Sequence, residues 1–339
     1  MTNSPHVQVW KTKLPMSQYT SIDAYAAVGP LAFFWFTGTR DLKVVDSRTG
    51  EAAKPVPIPG THRGDDVESL ILRSSADRLI GLAGLCQKSI AFEIRGTLEG
   101  AILEEWEKSE DACATDDGFL LSLSDRLVDI ADDGRPIRSV PLAKPAYVIC
   151  KSDSELAMIH RDRRIIALDL ARATESAPLN LDGEIAPLIP PYIQVHGVRV
   201  GTSTAFDPRS GRTLWQRDHD MRQQNPGGPG GNACDMNRRW FLPLAGNHYV
   251  LTQTRLMQRS PMNGEDLRGW DLPANLDGMR PLDDAMLLWG RGAWLFHPAT
   301  EKFTPIERSG RLDYWRGMKV DTGFVFATEG CVVLGYRPS

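Results

Sequence analysis

The sequence lacks most of the fixtures that announce a chemistry. It has five cysteines in 339 residues, Cys86, Cys113, Cys150, Cys234 and Cys331, odd in number, widely spread and without a Cys-x-x-Cys pair. That excludes a disulfide or zinc framework and leaves an expectation of reduced, mostly buried thiols in a cytoplasmic protein. Positive charge is not in excess either: 39 Lys and Arg face 43 Asp and Glu, a net charge of −4. With no positive field to draw in polyanions, nucleic acid is not an expected partner. Long apolar runs are missing. The most apolar short stretch, 29 to 36, is far too short to span a bilayer, so no membrane insertion is expected. The first ten residues have no basic stretch followed by an apolar one, so no export signal is expected.

Catalytic and metal motifs are equally scarce. The seven histidines, at positions 6, 62, 160, 196, 219, 248 and 297, show no ligand spacing such as His-x-x-x-His. There is no Gly-x-Ser-x-Gly elbow and no Gly-Lys-Ser/Thr phosphate loop. Gly227 to Gly231 is glycine-rich but lacks the following Lys-Ser/Thr, which makes it a surface loop. Arg63-Gly64-Asp65 matches an adhesion tripeptide of a kind that arises by chance. No cofactor, no metal and no catalytic residue is assigned.

What the sequence does have is an internal repeat. An apolar strand, a turn, and a second strand ending in an acidic or polar residue are followed by another turn and a third strand. The clearest copy is Ala205-Phe206-Asp207-Pro208-Arg209-Ser210-Gly211-Arg212-Thr213-Leu214-Trp215. Others centre on Asp46, Glu93, Asp129, Asp169, Gln258, His297 and Tyr336. The mean spacing is about 41 residues, the length that four short strands and four turns require. The strand preceding each anchor is an almost continuous apolar run, as in Leu31 to Phe36, Phe119 to Leu123 and Ala285 to Trp289. Such runs fit strands buried on both faces by neighbouring sheets. Asp116-Asp117-Gly118, Asp283-Asp284 and Asp321-Thr322-Gly323 recur at one place in the repeat, which makes them hairpin turns and not metal ligands. The last copy ends without an outer strand, and Val7 to Leu14 supplies a candidate for it. Trp10 would then play the part of Trp106, Trp215 and Trp270. The expected fold is all-β: one closed β-propeller domain, 1–339, of about eight four-stranded blades (seven remain possible), its N-terminal strand completing the last blade.

The run from Ala205 to Trp215 resembles the repeat of the pyrroloquinoline-quinone-like β-propeller superfamily. In those proteins an apolar strand ends in Ala-x-Asp, a Thr-Gly turn follows, and the next strand carries a Trp. The resemblance extends over nearly the whole chain, though one copy carries most of it. The adjacent cysteines that cover the cofactor in the quinone-dependent members are absent, as is the export signal of the exported members. What the resemblance implies is a cytoplasmic-looking bacterial member without the quinone. Since propellers host many unrelated activities, its implication is confined to the fold.

Function is expected in the loops that join an outer strand to the next inner strand, because these are the long polar ones on a rigid scaffold. The candidate partner-binding residues are His62, Arg63, Asp65 and Asp66 in one loop and Asp218, His219, Asp220 and Arg222 in another. Tyr314, Trp315 and Arg316 form a third group, with the aromatic and arginine side chains enriched at interface hot spots. Three uses of these loops stay open. One is a non-catalytic platform for a protein partner, in an immunity or complex-assembly role. Another is a hydrolase or lyase at the channel mouth, drawing on His62, Asp65, Asp66, His219, Asp220 and Arg222. The third is a sugar or small-ligand sensor.

Overall fold

The apolar run Leu31 to Phe36 shows how the core is built. In the computed structural model it is a strand whose alternate side chains go to opposite faces. Phe33 and Trp35 pack with Leu79, Ala83, Ile90 and Phe92 of the next sheet. Ala32, Phe34 and Phe36 pack with Met318, Val320, Val325 and Val333 of the preceding one. All five aromatic and small residues from Ala32 to Phe36 are at most 1% exposed. A strand with two buried faces has no polar alternation, which is why the run reads as continuously apolar.

The structure describes residues 6–14, 22–62, 65–75, 77–115, 117–153, 155–162, 164–176, 193–197, 202–207, 209–218, 241–244, 246–252, 254–282, 284–306, 316–321, 323–328 and 332–338. They resolve into two compact units: 6–150 with 314–339, and 151–313 with 1–5. Strands are numbered in chain order.

In the first unit, β1 (His6–Lys13) precedes a four-stranded sheet of β2 (Ile22–Val28), β3 (Leu31–Phe36), β4 (Asp41–Asp46) and β5 (Val56–Pro57). A second follows with β6 (Val67–Ser75), β7 (Arg78–Leu85), β8 (Lys88–Arg95) and β9 (Gly100–Glu107). The third holds β10 (Asp111–Thr115), β11 (Gly118–Ser122), β12 (Arg126–Ala131) and β13 (Pro136–Pro141). β14 (Tyr147–Asp153) carries the chain into the second unit, where it heads a sheet with β15 (Leu156–Arg161), β16 (Arg164–Asp169) and β17 (Thr174–Glu175). Next come β18 (Ile193–Gly197), β19 (Thr202–Phe206) and β20 (Thr213–Asp218). β21 (Phe241–Leu244), β22 (Asn247–Leu251), β23 (Arg255–Arg259) and β24 (Asp266–Asp271) make the sixth sheet. β25 (Leu276–Leu282), β26 (Ala285–Gly290), β27 (Ala293–His297) and β28 (Lys302–Ile306) make the seventh. Back in the first unit, β29 (Arg316–Val320), β30 (Gly323–Thr328) and β31 (Val332–Pro338) form the eighth. Each is an antiparallel meander. The inner-to-second hairpins turn where the sequence pairs Asp with Asp or Gly: Thr115 faces Gly118, Leu282 faces Ala285 and Val320 faces Gly323.

The N-terminal strand completes the eighth sheet, as its sequence implies. β1 pairs antiparallel with β31, from His6 opposite Pro338 to Lys13 opposite Val332. Strands far apart in sequence are thereby joined, and the outer edge of β31 is paired.

The turn between the third and fourth strands explains the repeated Asp. Asp46 Oδ1 accepts from the backbone N–H of Arg48 and Thr49, and Asp169 Oδ1 from those of Ala171 and Arg172. Asp207 accepts from Arg209 N–H and from the Ser210 hydroxyl. In the sixth sheet Ser260 fills the same place, its hydroxyl accepting from Met262 N–H. The chain then bonds back four residues on, Gly50 N–H to Asp46 O, Gly211 to Asp207, Gly264 to Ser260 and Glu301 to His297. The turns of the second and third sheets are one residue tighter, Leu98 bonding to Arg95 and Gly134 to Ala131. Three anchors named from the sequence therefore need correction by two residues: the equivalents of Asp46 are Arg95, Ala131 and Ser260, not Glu93, Asp129 and Gln258. A shift of two keeps a side chain on the same face of a strand, so the apolar pattern does not detect it.

The outer-strand tryptophans also need sorting. Trp10 donates its indole N–H to Ser47 O at 3.0 Å, and Trp215 donates to Pro261 O at 2.8 Å. Each ring lies on the glycine of the following sheet's turn, Gly50 and Gly264, so closely that a Cβ there would stand 2.7–2.8 Å from the indole. Trp106 and Trp270 are not equivalents. β9 bulges between the partners of Ala91 and Phe92, and it is Leu103 that lies over Gly134. Trp270 pairs opposite Leu256 and stacks near Tyr249 and Phe296.

The thiols depart from expectation as well. Cys86 is exposed in the turn after β7, and Cys113 and Cys150 are half-buried. A hairpin turn has no second sheet to cover it, so position and not residue type decides exposure there. Cys234 and Cys331 lie outside the described residues.

Candidate functional site

Of the loops expected to carry function, the one between β5 and β6 is the best described. Its path is fixed locally. Ile58 N–H bonds to Arg40 O, and Thr61 folds back on Ile58 O through both its N–H and its hydroxyl. Asp65 closes the turn, its carboxylate accepting from His62 N–H at 2.7 Å while its own N–H donates to His62 O. The Arg40 guanidinium donates to His62 O at 3.0 Å. His62 and Asp66 are exposed and Asp65 is half-buried. Arg63 lies outside the described residues.

Beside this loop is an open depression of about 500 Å³ lined by Gly38, Thr39, Arg40, Asp41, Pro57, Thr61 and His62. Its chemistry is mixed: Lys43 pairs with Asp41 at 2.9 Å, and the Arg40 side chain is held by the loop backbone. Further along the same end of the first unit, Cys86 Sγ approaches Asp66 O at 4.0 Å and hydrogen-bonds Glu68. That bond to Glu68, with burial and the Glu68 charge adding, raises the Cys86 thiol above its usual range. Glu68 pairs with Lys108 at 3.1 Å, and this bond holds its carboxyl below the usual range. In the third sheet burial raises Asp111, whose carboxylate accepts from Val148 N–H at 2.9 Å. Among the described residues no three His, Cys, Asp or Glu side chains gather as metal ligands. No helix among them is long and apolar enough to cross a membrane.

The remaining candidates are more scattered. Asp218 is the last residue of β20 and Arg316 the first of β29, so both belong to strands and not to loops. The loop joining β9 to β10 is short, confined to Lys108, Ser109 and Glu110. His219, Asp220, Arg222, Tyr314 and Trp315 lie outside the described residues, as does the glycine-rich run from Gly227 to Gly231. The sequence passed over Arg40, Asp41, Lys43, Glu68 and Lys108. They sit in or beside strands, and only the fold brings them next to the 61–66 loop.

The antiparallel four-stranded meanders, and the pairing of the N-terminal strand with β31, define a β-propeller of about eight blades. Comparison with solved structures agrees. The chain is similar over its whole length to Sqt1 from Saccharomyces cerevisiae, at 11% identity, with 100% of this chain and 99% of that chain covered and a TM-score of 0.60. BamB from Moraxella catarrhalis is similar at 12% identity, with 97% of each chain covered and a TM-score of 0.46. The sequence matches no protein-family model and no curated protein. At 11% identity the likeness to Sqt1 is one of fold alone.

Proposed function

We propose that the protein is a non-catalytic protein-binding platform that acts through the loops joining outer to inner strands. The observation that carries this is the state of the 61–66 loop. Asp65 stands beside His62, and its carboxylate is committed to the His62 backbone N–H of its own turn. The space beside the loop is an open, mixed-charge depression and not a deep cleft. A hydrolase or lyase needs a base aimed at a substrate in a closed site, whereas an open, rigid, polar surface suits a partner that binds with little ordering cost. In this proposal residues 1–339 form one propeller domain of the pyrroloquinoline-quinone-like repeat class, working in the cytoplasm of a bacterium as a complex-assembly or immunity component. The recurrence of the Trp10 and Trp215 contacts on the next turn's glycine supports that repeat class. Partner contacts are assigned to His62, Arg63, Asp65, Asp66, Asp218, His219, Asp220, Arg222, Tyr314, Trp315 and Arg316.

The test is affinity capture from the native host, comparing the wild type with a variant whose 219–231 segment is replaced by a short Gly-Ser turn and with Asp66→Lys. A stoichiometric protein retained by the wild type and lost from either folded variant is the expected result. A folded, abundant protein that retains no stoichiometric partner would overturn the proposal.

A further inference from the structure

The outer strand of the second blade stands apart from its counterparts. The sheet order β6-β7-β8-β9 ends on β9, so one side of β9 is a free edge with backbone N–H and C=O groups open to pairing. Proteins commonly blunt such edges with short strands, proline, charged side chains or bulges, and the other free outer edges here use short strands, proline or basic side chains. β5 and β17 are two residues long, and β5 contains Pro57. β13 contains Pro136 and Pro141. β20 carries Arg217 and β24 carries Arg268.

β9 has eight residues, Gly-Ala-Ile-Leu-Glu-Glu-Trp-Glu, with neither proline nor a basic side chain; three glutamates and the bulge at Leu103 guard its edge instead. All but Leu103 and Trp106 are exposed, and Ile102 is 47% exposed. The first blade's 58–60 segment runs beside its start: Pro59 lies against Gly100, and Ile102 packs over Gly60. Its charge is of one sign. Glu105 is met by Lys88 at 2.8 Å and Glu107 by Arg126 at 2.7 Å, both from within the propeller. Glu104 has no ion pair among the described residues, and Glu110 beyond the strand has none either. An edge of this kind discriminates. A second copy of β9 would set glutamates against glutamates, while a basic strand would gain at each of them.

We propose that the free edge of β9 binds an extended, lysine- or arginine-bearing segment of a partner protein as a fifth strand. Main-chain pairing along β9 on either side of its bulge at Leu103 supplies the affinity, and Glu104 with Glu105 and Glu107 selects basic side chains. The test reads protection in 100–107 and not in 61–66, so this proposal holds or fails independently of the platform proposal.

The test uses the intact protein and a fluorescent octapeptide of sequence Lys-Thr-Lys-Val-Lys-Thr-Lys-Val, read by anisotropy and by hydrogen exchange. Saturable binding is expected, with slowed exchange in 100–107. Affinity should fall about tenfold in E104Q/E105Q/E107Q, which leaves the strand and its core contacts in place. The same peptide with glutamate for lysine, or with proline at its centre, should not bind. Three results would overturn the proposal: no binding of the lysine peptide, equal binding of the proline peptide (which would mean charge without strand pairing), or protection elsewhere than 100–107.

Discussion

Gly50 sits at φ +78°, in the left-handed region, and beneath the Trp10 ring, where an added Cβ would stand 2.7 Å from the indole. Gly38 has nearly the same φ, +77°, with nothing within 4 Å of the added atom. The pair separates backbone strain from overlap. Gly38→Ala meets the strain alone, about 1–2 kcal/mol. Gly50→Ala meets the same strain and also forces the indole away, at a further cost of about 1–3 kcal/mol. The second cost exists only while Trp10 is there, so in a Trp10→Ala background Gly50→Ala should return to about 1–2 kcal/mol. Urea unfolding followed by far-ultraviolet circular dichroism, read as midpoint shifts at constant slope, measures all three values. Equal costs for Gly50→Ala with and without Trp10 would refute the docking of β1 on the first blade's turn, and with it the structural role assigned to the N-terminal strand.

The Asp207 carboxyl is held below its ordinary value of 3.8, first by the Ser210 hydroxyl and then by the Arg209 and Ser210 backbone N–H groups. A depressed native value means stability present above pH 3.8 and lost as pH falls through the native value, so the stability gap between wild type and Asp207→Ala should be full at neutral pH and close in acid. The thiols should react in order of access: Cys86 is exposed, whereas burial raises Cys113 to about 12 and should keep it unlabelled until the protein unfolds. Glu68→Gln removes the carboxylate that raises Cys86, so labelling of Cys86 at pH 8 should speed up, while equal rates would contradict the Glu68 contact.

Much of the fold is visible in the sequence because it rests on turn chemistry. The Asp and Ser/Thr-Gly positions of the first and fifth blades are there to bond backbone N–H groups and to allow positive φ, and both leave a residue signature. The second and third blades turn in one residue fewer, and Leu98 takes the positive φ that Gly50 takes elsewhere. Where no Asp stands at the first position of the turn, as at Arg95, Ala131 and Ser260, spacing alone slips the register by two, a slip that the two-residue period of a strand conceals. Bulges hide the rest. An extra residue in β9 sends Leu103 to the place that spacing gives to Trp106. The surface around His62 was half legible: its loop residues stand together in the sequence, but Arg40, Glu68 and Lys108 join them only through strand pairing. Nothing in a sequence marks a free edge, so β9 emerges only when its neighbours are known.

Hydrogen exchange of the protein alone and with its captured partner tests the central claim most directly. Slowed exchange in 61–66, with 219–231 or 314–316, and unchanged exchange in the turns at 46–50 and 260–264 is the predicted result. Protection confined to those turns, or to no loop joining outer to inner strands, would contradict it.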